Sequence, residues 1–225
     1  MPRLSHGRAG EETLVTSGAV ERHFTSLKQV REAAAICQRC PLYRNATQTV
    51  FGEGPAHAPV VFIGEQPGDQ EDIQGKPFVG PAGRMLDRAL EEAGIDRKRV
   101  YVTNAVKHFK FEQTRGKRRL HKKPNAYEIE RCNWWLDKEL GLIAPKLAVA
   151  LGTTAARALF GRAITISRVR GDFLPLPAYG ALEGFVTVHP SALLRAPDEE
   201  SRHREYARFL TDMRAIARHI PDVRA

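Results

Sequence analysis

The sequence predicts an α/β fold, a three-layer α/β/α sandwich around a central, mostly parallel four-stranded sheet. Three observations carry this. Four short apolar, β-branched runs stand far apart: VVFIG (60–64), VYVTNAV (100–106), LAVALG (147–152) and FVTVH (185–189). Unbroken runs of this length suit strands covered on both faces, as in a parallel sheet. Helical periodicities lie between and after them, so strands and helices alternate as in βαβ units. Finally, 225 residues with 42% hydrophobic content can bury a full core within one large domain.

Taken in order, residues 1–22 are polar, mixed in charge and without periodicity, which predicts a mobile tail ahead of a single domain over 23–225. LKQVREAAAIC puts Leu27, Val30, Ala34 and Cys37 on one helical face, and Cys37-Gln38-Arg39-Cys40-Pro41 ends that helix. Helical patterns follow over 81–94 (closed by Gly94), 125–143, 153–161 and 199–219. In such folds ligands sit at the carboxyl ends of the strands. Those ends read GEQPGD, TNAVKHF, LGTTA and VHPSALLR, where the chemically capable side chains gather.

Charge and length exclude several classes. No apolar run approaches the ~20 residues of a membrane span. The first residues lack the apolar stretch of a secretory signal, which predicts a cytoplasmic protein. Three cysteines cannot form a disulfide framework. The net charge of +9, from 35 Lys+Arg against 26 Asp+Glu, fits a polyanion binder as well as an uncommitted basic surface.

Cys37 and Cys40 form C-x-x-C, and Cys132 is the remaining cysteine. The set reads as a metal site short of one ligand or as buried structural thiols. His108, just past the second strand, is the best fourth donor, because imidazole can replace thiolate at iron. His121 competes, but it lies in a cationic run that opposes a metal. That run, FKFEQTRGKRRLHKKP, reads as a loop holding Lys110, Arg115, Lys117, Arg118, Arg119, Lys122 and Lys123. It is either a solvated face or a phosphate-neutralising surface. Among so many cations the His121 imidazole is expected to stay neutral, with a nitrogen free to act as nucleophile or base.

At the strand ends, Gly64 and Gly68 allow tight turns, and Glu65 and Asp69 supply carboxylates. Phe78 offers an aromatic face or a core side chain, Asn104 a two-way amide or a cap, and His189 a proton donor or a core histidine.

GEQPGDQED, PFVGPAG, TNAVKHF and VHPSALLR, with C-x-x-C upstream, resemble the uracil-DNA glycosylase superfamily, in particular its family 4 iron–sulfur branch. The resemblance runs from about Cys37 to the last helix. Two departures, His108 where a third cluster cysteine is usual and the KRRLH insertion, resemble the UdgX type, whose motif is commonly KRRIH.

The resemblance implies excision of uracil from DNA followed by covalent attachment of His121 to the sugar. It implies a 4Fe-4S cluster on Cys37, Cys40, His108 and Cys132. Uracil would be stacked by Phe78, paired by Asn104 and approached by the backbone near Gly64 and Gln66. His189 would stabilise the departing anion, Glu65 would orient His121 and take its proton, and Asp69 would assist. Lys117, Arg118, Arg119 and Arg195 would meet phosphates. The partner would be uracil-containing DNA, single strands favoured, met by a monomer associated with the nucleoid. Two rival readings are an ordinary multiple-turnover family 4 glycosylase and a non-catalytic metal-bearing nucleic-acid-binding module.

Overall fold

The computed structural model describes residues 23–114 and 118–224. The expected mobile tail, residues 1–22, and Arg115, Gly116 and Lys117 lie outside the described residues.

In chain order the elements are α1 (Leu27–Ala35), β1 (Val60–Gly64), α2 (Asp69–Gln74), α3 (Pro81–Glu92), β2 (Val100–Asn104), β3 (Phe111–Gln113), β4 (Arg119–His121), α4 (Ala126–Ile143), β5 (Leu147–Leu151), α5 (Thr153–Phe160), α6 (Ile166–Val169), β6 (Phe173–Pro175), β7 (Glu183–Thr187), α7 (Pro190–Leu194) and α8 (Glu199–His219). The central sheet runs β2-β1-β5-β7-β6 and is parallel except at the β6 edge. It therefore has one strand more than the four apolar runs predict, since FLP carries too little apolar pattern to announce itself.

Every residue of β1, β2 and β5 is buried. Alternate side chains feed two separate cores. Val61, Ile63, Ala148 and Ala150 pack with α1, α4 and α5, while Val60, Phe62, Val149 and Phe185 pack with α3 and α8. Helices thus cover both faces, as unbroken apolar strands require. The Leu27–Cys37 helix stops at Ala35, and Cys37 follows in a turn whose N–H donates to the Ala34 carbonyl at 3.0 Å.

Strand β1 lies between β2 and β5, so consecutive connections leave it in opposite directions. That reversal opens a crevice beyond its carboxyl end. The basic run expected as a loop is in fact a β-hairpin, β3 against β4, with Phe111 opposite His121. No helix among the described residues is long and apolar enough to cross a membrane.

Candidate active site

The crevice has a buried wall. Asn104 ends β2 and is 3% exposed. Its carbonyl accepts from the Lys107 ammonium at 2.7 Å, and Lys107 is itself fully buried against Glu139 and Thr103. Fully buried lysine is rare unless paired, and the three acceptors here satisfy its three donors. Across from Asn104, Phe78 closes the floor in a left-handed conformation, φ 58°, that non-glycine residues seldom adopt. Gly83 makes this turn possible, because a Cβ there would fall 1.7 Å from the Phe78 carbonyl oxygen. Gly64 is equally constrained: its Cβ would sit 2.3 Å from Asn104 Oδ1 and 2.8 Å from Phe78 Cζ. Aromatic face and amide edge meet over a residue with no side chain.

Glu71 links the two loops of this wall and went unnoticed in the sequence. Its carboxylate accepts from Gly80 N–H at 2.8 Å and Gly68 N–H at 3.2 Å. His189 caps α7, with Nδ1 accepting from Ser191 N–H at 3.2 Å. In the neutral ring this leaves the proton on Nε2 as a donor. Burial, and then the positive charge of Arg195, push its pKa down to about 4, so the ring is neutral at physiological pH. The His189 ring lies near-parallel to Phe78, at 6.4 Å and 27°.

The opposite wall is the hairpin. Gln66 spends its side-chain amide there, donating to the carbonyls of Lys110 and Lys122 at 3.1 and 3.0 Å and accepting from Lys110 N–H at 3.0 Å. Arg119 turns inward rather than toward solvent. Its guanidinium reaches Asp69 at 2.5 Å and Asp72 at 2.6 Å, and it lies over the rings of Phe109 and Phe111. Its charge is therefore paired within the protein, and Asp69 is occupied by the same contact. Arg118 and Arg195 are exposed, and Lys117 lies outside the described residues.

The two walls meet at one pair. His121 Nε2 is 3.4 Å from Glu65 Oε1, with side chains 48% and 22% exposed. Glu65 Oε2 accepts from the hydroxyl of Thr154, a residue that strand-end reasoning passed over. Burial lowers the His121 pKa, Glu65 opposes this, and Arg195 lowers it further. The imidazole is thus neutral at pH 7, as the sequence predicts, with burial rather than the neighbouring cations as the larger cause.

A second buried centre lies under α1 and α4. Cys37, Cys40 and Cys132 are buried free thiols in one core. Two sulfurs accept N–H donors, Cys37 from the Trp135 indole at 3.1 Å and Cys132 from Lys107 N–H at 3.2 Å. Burial pushes the Cys132 thiol up to about 12. Among the described residues no three His, Cys, Asp or Glu side chains converge on a single metal ion. His108 is instead bonded through Nε2 to Thr49 Oγ1 at 2.9 Å. Thr49 donates its own proton to the Ala34 carbonyl at 2.8 Å, so toward His108 it accepts. The buried, neutral His108 therefore keeps an unprotonated Nδ1.

The mostly parallel α/β sheet thus carries an aromatic ring, a buried amide, a neutral imidazole and a carboxylate at the carboxyl ends of its strands. Residues 51–214 match the model of the uracil DNA glycosylase superfamily, and the chain belongs to that superfamily. It is 38% identical over 174 residues to a type-4 uracil-DNA glycosylase of Thermotoga maritima, covering 77% of this chain and 85% of that protein. It is 34% identical to the type-4 uracil-DNA glycosylase of Archaeoglobus fulgidus, over 76% of this chain and 85% of that one. A type-5 uracil-DNA glycosylase of Thermus thermophilus is 32% identical over 57% of this chain and 63% of its own length.

Proposed function

We propose that this chain excises uracil from DNA, single strands above all, and then captures the vacated sugar on His121, acting as a monomer. The uracil leaves the base stack and enters the crevice, at a cost of a few kcal/mol that is least for a single strand. Phe78 stacks it and Asn104 reads its O4/N3 edge. The C1′–N1 bond breaks, its electron pair going to uracil, and His189 Nε2–H donates to the anion at O2. A pre-aimed donor of this kind contributes about 3–4 kcal/mol. One ring nitrogen of His121 then forms a bond to C1′, while the proton on its other nitrogen passes to Glu65. A nucleophile held at the reacting carbon outcompetes water because its effective concentration is very high. Asp69 assists indirectly, by holding Arg119 and through it the hairpin. Arg118, Lys117 and Arg195 neutralise phosphates.

The buried thiols support a 4Fe-4S cluster held by Cys37, Cys40 and Cys132, with His108 Nδ1 as the fourth donor. The Thr49 bond to the other ring nitrogen is how ligating histidines are commonly held. Such a cluster would supply structural cross-linking between the end of α1, the exit of β2 and α4.

The observation that carries the capture reading is a neutral imidazole paired at 3.4 Å with a carboxylate whose second oxygen is already held. Incubation with a uracil-containing single-stranded oligonucleotide, followed by a denaturing gel, tests it. The expected product is a heat-stable protein–DNA band, with one uracil released per protein molecule. Abasic product without that band makes the protein an ordinary turnover glycosylase, and the absence of uracil release removes the enzymatic reading.

A further inference from the structure

We propose that Thr154, with Thr153 beside it, is the positioning device that fixes the His121–Glu65 pair, and so decides whether the sugar cation is captured by histidine or by water. The inference rests on the capture reading above. Thr154 stands in the first turn of α5, is 2% exposed, and donates its hydroxyl to Glu65 Oε2. Glu65 is held at its backbone as well, its carbonyl accepting from Val106 N–H at 3.0 Å. With main chain and one carboxylate oxygen fixed, Oε1 is the remaining acceptor, and it faces His121 Nε2 at 3.4 Å.

The adjacent residue acts on the other partner. Thr153 Oγ1 accepts from the Lys123 ammonium at 3.1 Å, two residues beyond His121. One helical turn thus holds the carboxylate and the exit of the hairpin together. The turn itself is firm, because Ala155, Ala156, Ala158 and Leu159 are buried in the α1/α4/α5 core. Without the Thr154 hydroxyl, a glutamate side chain with three rotatable bonds is free to turn toward solvent, and the imidazole loses its acceptor.

Capture and hydrolysis are competing fates of one sugar cation, whereas departure of uracil precedes both. The ratio of adduct to free abasic site therefore reports this positioning, and the rate of uracil release does not. The test uses the full chain and a uracil-containing single-stranded oligonucleotide, with uracil release, captured fraction and thermal midpoint measured together. Thr154→Val keeps the volume and removes the hydroxyl. It is expected to lower the ratio of adduct to abasic site about tenfold while uracil release stays within about twofold of the original. Thr154→Ser restores the donor and is expected to restore capture. Thr153→Val is expected to lower the ratio only about twofold, because the lysine contact is exposed. The proposal is overturned if Thr154→Val captures like the original chain, if the serine variant is no better than valine, or if release, capture and thermal midpoint fall together. Original protein that releases uracil yet captures no DNA overturns the capture reading instead.

Discussion

Asn104 ends a strand buried on both faces and is 3% exposed; His121 ends a three-residue strand, and its side chain is 48% exposed. The first belongs to a wall whose parts are fixed by close packing: Gly64 beneath Asn104 and Phe78, Gly83 beneath the Phe78 turn, Lys107 beneath the Asn104 carbonyl. The second belongs to a hairpin held by a few polar contacts, chiefly Gln66 and the Arg119 pairs with Asp69 and Asp72. Bond breaking needs a pocket that does not relax, because preorganised donors are what stabilise the developing charge. Capture needs a nucleophile that lets DNA enter first and then stands at the sugar. In the proposed function the packed wall serves release of uracil and the polar hairpin serves its capture, so the two steps are expected to be separable by mutation.

The largest effect is expected in the packed wall. Gly64→Ala drives a methyl group to within 2.3 Å of Asn104 Oδ1, and uracil release in a single-turnover assay should fall more than about 100-fold. His189→Ala removes the Nε2–H donor, and release should fall about 100-fold while binding to abasic DNA is kept. In the hairpin, Arg119→Met leaves the buried Asp72 without its cation, although Thr47 N–H still donates to it at 3.0 Å. A loss of about 1–3 kcal/mol by chemical denaturation is expected, with capture reduced far more than release.

Acid divides the walls more gently. Both histidines have pKa values below the ordinary 6.5, so the native state binds fewer protons than the unfolded chain. Their contribution to stability is complete above pH 6.5 and is lost as pH falls toward 4, which a thermal midpoint series should follow. His189 stays neutral to about 4, so uracil release should persist until the pH approaches that value. The smallest effect belongs to Arg118→Ala, expected to lower the slope of log affinity against log salt by about one unit.

How much of this the sequence reveals follows the same division. The four parallel strands are legible because burial on both faces demands unbroken apolar runs, and α8 begins and ends at Glu199 and His219, as its periodicity predicts. Strand β6 and the hairpin are not legible. These strands span only three residues each, too few to establish a period, and the hairpin is held by backbone pairing and by a glutamine from another loop. A run of cations likewise cannot tell Arg119 from Arg118. What separates them is an aspartate 50 positions away, which only the folded chain brings near. Thr154 escapes notice for a related reason, since threonine opening a helix ordinarily reads as a cap.

The measurement that bears most directly on the separation of the two walls is His121→Ser, incubated in turn with excess uracil-containing single-stranded DNA and resolved by denaturing electrophoresis. The account predicts no heat-stable adduct, several uracils released per protein molecule, and abasic DNA as the product. A variant that still forms the adduct, or that releases no uracil at all, contradicts it.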